Sequence, residues 1–249
     1  MNSLYVAATG MINQQLNVDL ISNNLSNINT PGYKKSEVNF KDLYSQEINL
    51  GQDRTIFIGM GAKVDGISKI HTQGVLQQSE NQLDLAIEGP GFFQVLLPDG
   101  STGYTRDGSF RIDGGGNIVT VEGYLLQPPV NMGEEFSEIS VGSNGIISVV
   151  PFGSDESVEL GQIMLAGFIN PSGLENISGN IYVETESSGQ PLPAGQLKLG
   201  DIRQGYKEMS NINVIEEMVN LISAQRAYEI NSKAIKAIDD MMGVTNNMR

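Results

Sequence analysis

The chain is 249 residues long, with no cysteine, one histidine (His71) and a net charge of −14. That length buries a substantial core, and the composition excludes disulfides, thiol nucleophiles and thiolate metal sites. The imbalance lies wholly in 73–202, with three basic and 17 acidic residues against six of each in 1–72 and in 203–249, so nucleic acid or an anionic membrane would meet no basic patch.

The start has neither a basic leader nor a long apolar stretch, and no apolar run reaches bilayer length. The reading is therefore no cleaved signal peptide and no membrane insertion. Leu4, Ala7, Met11, Gln14, Val18, Ile21, Leu25 and Ile28 recur at spacings of three and four, which predicts a helix over 4–28, ~37 Å long. Amides fill the positions between them. Pro31-Gly32 ends the pattern, because proline restricts the residue before it and glycine tolerates a positive φ.

The next segments are short β-type runs separated by turns. Strands are predicted at 55–58, 83–87, 92–97, 104–105, 109–112, 118–121, 124–127, 139–141, 146–150, 163–168, 181–185 and 198–199. Pro98-Asp99-Gly100, Arg106-Asp107-Gly108 and Asp113 to Asn117 supply turn chemistry. No crossover helix separates the runs, so an antiparallel, all-β body is expected. A second helix follows, with Ser210-Asn211 as its cap. It carries Ile215, Met218, Val219, Ile222, Ala227, Ile230, Ala234, Ile238 and Met241, and closes on Gly243 and a polar tail, Thr245 to Asn247.

The expected fold class is α+β: N- and C-terminal helices pairing as a coiled-coil-like arm, with an all-β central body. The expected divisions are an N-terminal assembly helix (1–34), an extended connector (35–72), an acidic β body (73–202) and a C-terminal assembly helix (203–249). A lone striped helix cannot bury its own face, so the two stripes pair with each other or with neighbouring subunits.

His71 has no second histidine or cysteine to share a metal or a proton relay, so a solvent-facing or hydrogen-bonded loop residue is the better reading. Asp107 and Asp113 read as turn residues, and Glu134-Glu135 and Asp155-Glu156 as solvated faces, not as a glycosidase pair. Gly114-Gly115-Gly116 is followed by a strand and lacks a Lys-Ser/Thr pair, so it reads as a hairpin and not a phosphate nest. Neither a cofactor nor an enzymatic activity is expected. Arg226 and Glu229 could pair on the helix surface or fix register between subunits, and Tyr228 beside them is a candidate interface anchor.

The segment SNNLSNINTPGYKK at 22–35, carried by Asn23, Asn24, Leu25, Asn27, Thr30, Pro31, Gly32 and Tyr33, resembles the N-terminal signature of the flagellar basal-body rod and hook proteins. NINVIEEMVNLISAQRAYEINSKAI at 211–235 resembles that family's closing helix. Gly89 to Phe93, GYTRDGSFRIDGGGNIVT at 103–120 and the stretch around Gly173 to Asn176 are similar to its body. The match is nearest to the distal-rod branch, with proximal rod or hook-related subunits as the alternative. Segment 44–62 departs by being shorter. The resemblance implies a homo-oligomer in a helical tube, partnered by other rod proteins, hook subunits, the surrounding envelope ring and the flagellar type III export machinery. It also implies a place in the basal body, reached without a cleaved signal. The assembly residues are expected to be Leu4, Met11, Val18, Ile21, Asn23, Asn24, Leu25, Asn27, Ile215, Val219, Ile222, Arg226, Tyr228, Ile230 and Ile238. A wall-binding β module or adhesin competes, but has no need of a striped helix at each end.

Overall fold

The computed structural model describes residues 2–43, 46–49, 55–133, 136–152, 156–193 and 195–247. Glu134, Glu135, Asp155 and part of segment 44–62 lie outside them. Two helices and a β-rich body make an α+β chain, which divides into two compact units. One comprises residues 1–26, 36–69 and 212–249, and the other 27–35 and 70–211.

The helical unit contains α1 (Asn2–Ser26) and α2 (Val214–Asn247). It also holds an antiparallel ribbon of Ser36–Asp42 against Ala62–Lys69, and the strand pair Gln46–Asn49 with Thr55–Ile58. The ribbon strands were not expected from sequence, although Glu37-Val38-Asn39-Phe40-Lys41 and Lys63-Val64-Asp65 alternate polar with apolar residues as a half-buried strand does. The cap of α2 is Asn213 and not Ser210-Asn211: its Oδ1 accepts the amide of Ile215 at 3.1 Å. Gly243 does not close the helix, which continues to Asn247.

The β-rich unit is built on a sheet in the order Glu175–Ser178, Ile181–Val183, Thr102–Thr105, Phe92–Leu96, Leu125–Gln127, Ile118–Val119 and Arg111–Ile112. Leu165–Gly167 also pairs with Phe92–Leu96, and a three-stranded sheet joins Phe136–Val141, Ile146–Pro151 and Val158–Gln162. All of these pairings are antiparallel, as short turns require. Asp99 makes one such turn by accepting the Ser101 amide at 2.8 Å, with Gly100 at φ +84°. Asp113 does the same for Gly115 and Asn117, joining the strands at 111–112 and 118–119 through the glycine-rich hairpin. The strand expected at 198–199 is absent, and those at 158–162, 175–178, 201–204 and 206–208 were not expected.

The main core gathers Leu85, Ile87, Phe93, Phe110, Leu126 and Ile147. A second cluster sets Phe92, Tyr104, Phe168 and Tyr182 edge to face. His71 is a half-buried loop residue beside this cluster, its ring 5.5 Å from Phe92 and 5.1 Å from Tyr182, so aromatic packing is added to the loop position expected for it.

Candidate assembly surface

The two helices of the helical unit contact each other, and their direction can be read from two points. A Cβ added at Gly10 would come within 2.9 Å of Asn231 Nδ2, and Asn24 Nδ2 donates to Glu217 Oε2 at 3.3 Å. Moving forward along α1 thus runs backward along α2, so the pair is antiparallel. Gly10 carries no side chain at the crossing, which lets the helices approach closely.

The buried face between them is modest in apolar content. Ile21 and Ala224 are buried there, together with Asn13, Asn24 and Glu217. Asn24 accepts the Ser36 amide at 3.0 Å and donates to the Ser36 carbonyl at 2.9 Å, fastening the ribbon to α1. Asn13 Nδ2 does likewise to the Ala62 carbonyl at 2.7 Å. Each buried amide is therefore matched to a backbone partner, as burial of a polar group demands. Glu217 sits in the first turn of α2, where the helix dipole favours a negative charge.

The expected assembly residues fall into two groups. Ile21 and Asn24 are buried within the unit, while Leu4, Met11, Val18, Leu25 and Ile238 are half-buried. Asn27 is half-buried in the β-rich unit, where its Oδ1 accepts the Thr30 hydroxyl at 3.1 Å. Asn23, Ile215, Val219, Ile222, Arg226, Tyr228 and Ile230 are exposed. Arg226 and Glu229 make no ion pair with each other among the described residues.

The apolar stripe of α2 is therefore turned outward. Ile215 is 76% exposed and Ile230 65% exposed, and Met218, Val219, Ile222 and Met241 share that side. The face against α1 instead carries Glu217, Leu221, Ala224, Asn231 and Ile235. The periodicity revealed the stripe but not its direction, because both faces repeat at helical spacing. On α1, Tyr5 and Ile12 are also exposed, and Asp19 is the single charge in the helix. Sequence reasoning missed Tyr5, Ile12, the buried Asn13 and Glu217 and the half-buried Asn231, whose polar character reads as solvent-facing until the rest of the unit is in place.

Fully burying one isoleucine or valine is worth about 1.5–3 kcal/mol. A stripe of this length left in water is a standing drive toward association. No helix among the described residues is long and apolar enough to cross a membrane. No group of His, Cys, Asp or Glu among them is placed to hold a metal ion.

Three stretches of the chain match known protein families. Residues 4–34 match the model described as flagella basal body rod protein, and 86–149 the flagellar hook protein FlgE/F/G D1 domain. Residues 203–248 match the flagellar basal body rod FlgEFG protein C-terminal model. The chain is 45% identical over 262 residues to the flagellar basal-body rod protein FlgG of Borreliella burgdorferi, covering 100% of this chain and 99% of the relative. It is 39% identical over 261 residues to FlgG of Caulobacter vibrioides, with 100% of both covered. Similarity extends to the flagellar hook-basal body complex protein FlhP of Bacillus subtilis, 27% identical over 272 residues with 100% of both covered.

Proposed function

Because the chain belongs to the flagellar basal-body rod protein family, we propose that its copies polymerise into a helical tube through the outward stripe of α2. The chain is a structural subunit of the rod and not an enzyme. As a rod subunit it assembles with other rod and hook components.

The observation that carries the proposal is the exposed run Ile215, Met218, Val219 and Ile222, continued by Ile230 and Met241, on a helix whose other face is already occupied. Burying that run between copies supplies the association energy. The nearly uncharged α1 adds a surface on which amides and hydroxyls can pair between copies without like-charge repulsion. The inward positions Glu217, Leu221, Ala224, Asn231, Ile235 and Ile238 keep a seven-residue, four-three rhythm, which supports a coiled-coil-like arm.

In this reading Ile215, Val219, Ile222, Ile230, Arg226 and Tyr228 meet neighbouring copies. Leu4, Met11, Val18, Ile21, Asn24, Leu25 and Ile238 hold the arm together, Asn23 lies on its exposed side, and Asn27 steadies the turn that follows. The polymer is the distal drive shaft, passing torque toward the hook inside the envelope ring. Its subunits travel through the flagellar type III export route, without a cleaved signal.

The absence of cysteine provides a clean test. Ile222→Cys introduces one thiol at an exposed position, and its reaction with a maleimide is expected to be fast in the monomer and at least about tenfold slower in sedimented polymer. Equal labelling in both states would remove α2's outer face from the interface.

A further inference from the structure

The chain passes between its two units at four points: after Ser26, Lys35, Lys69 and Asn211. Inside the β-rich unit, the residues flanking three of these passages are tied to one another. The Lys35 amide donates to Asn211 Oδ1 at 2.8 Å, and the Ile70 amide donates to the Lys35 carbonyl at 2.9 Å. Asn211 Nδ2 in turn donates to the Ile70 carbonyl at 2.8 Å and to Thr72 Oγ1 at 2.9 Å.

Joined to this ring of bonds is a buried ion cluster. Lys34 Nζ meets Glu208 Oε1 at 2.5 Å and donates to the Thr72 carbonyl at 2.8 Å. Glu208 Oε1 also accepts the Gly74 amide at 2.9 Å, and the Glu208 carbonyl accepts the Gly32 amide at 2.8 Å. Arg106 Nη1 holds the other oxygen of Glu208 at 3.2 Å, while its Nη2 donates to the Gly89 carbonyl at 2.7 Å. The side chains of Lys34 and Glu208 are fully buried and that of Arg106 nearly so. Gly32 completes the fit: its φ is +69°, and a Cβ there would lie 2.5 Å from the Asp107 amide nitrogen.

Two buried cations sharing one carboxylate are a poor way to gain stability, since apolar side chains of equal volume often serve as well or better. Burial pushes the Lys34 ammonium below its usual range, and the Glu208 charge only partly opposes this. Apolar groups, however, cannot hold chosen backbone atoms at fixed distances, whereas charge-assisted hydrogen bonds can.

Resting on the reading of the chain as a rod subunit, we propose that Lys34, Arg106, Glu208 and Asn211 are positioning residues that knot together three of the chain's four passages out of the β-rich unit, so that load is shared among them and not carried by one strand alone. Without the knot each passage would yield separately under torque. With it, Gly32, Lys35, Ile70 and Gly74 move as one.

The test uses full-length chain carrying Glu208→Gln or Lys34→Met. Amide exchange in the monomer is expected to quicken about tenfold at Gly32, Lys35, Ile70 and Gly74. The central strands Phe92–Leu96 and Leu125–Gln127 should exchange as in the wild type. Rods grown from the variants should curve more in electron micrographs than wild-type rods. If Glu208→Gln does not fold, Lys34→Met, which keeps the volume and removes one buried cation, carries the same test. Unchanged exchange at the four amides would overturn the proposal, as would loosened amides in rods as straight as the wild type. A wild-type chain that forms no rods counts against polymerisation, while the exchange result still decides the knot.

Discussion

Tyr104 is buried in the second aromatic cluster, and burial, reinforced by the charge of Glu184, raises its phenol to about 12 from the ordinary 10. The folded chain therefore keeps a proton that the unfolded chain has lost. The resulting stability is whole below pH 10 and disappears as the pH climbs from 10 through about 12. Tyr182 is shifted in the same direction, chiefly by burial. Tyr104→Phe removes one of these two titrations, so its alkaline unfolding midpoint is expected to move upward when followed by circular dichroism. A midpoint that stays put or falls would contradict this. Single residues were unevenly legible. Pro31-Gly32 announced a turn through local stereochemistry. The burial of Lys34 was not legible, because the carboxylate that allows it, Glu208, lies far away in sequence. The aromatic neighbours of His71 were not legible either, since they come from two distant strands.

At the scale of elements, the helices were legible from period alone, and the β hairpins from aspartate and glycine turns. The ribbon of 36–42 with 62–69 was not, because its alternation of polar and apolar residues runs over only a few positions before Asp42 and Gly66 interrupt it. Nor could period say which side of α2 faces α1. The inner face joins a small residue, Ala224, to buried amides and one carboxylate, with Gly10 at the crossing. Such a face buries far less apolar area than the core around Phe93 and Leu126. In dilute monomer the amides of both helices are therefore expected to exchange orders of magnitude faster than those of Phe92–Leu96. Assembly should then slow the helical amides. Hydrogen exchange by mass spectrometry reads both, and equal protection of helices and sheet in the monomer would show that α1 and α2 need no neighbours.

Across the whole molecule, two opposing effects are written into where the charges fall. The surplus of acidic residues in 73–202 makes copies repel, while the ends are neutral and the outer face of α2 exposes Ile215, Met218, Val219, Ile222 and Ile230. Repulsion reaches about 30 Å at 0.01 M salt and about 8 Å near physiological ionic strength. Apolar burial is barely weakened by salt. The most direct measurement is sedimentation of polymer against salt concentration for the wild type and for Ile222→Asp, whose side chain is exposed in the monomer and so leaves its fold intact. Wild-type polymer is expected to be scarce at low salt and to increase toward moderate salt. Ile222→Asp should stay in the supernatant throughout, since a buried unpaired carboxylate costs several kcal/mol per subunit. A wild-type pellet that shrinks steadily as salt rises, or an Ile222→Asp pellet equal to the wild type, would contradict assembly through the apolar stripe of α2.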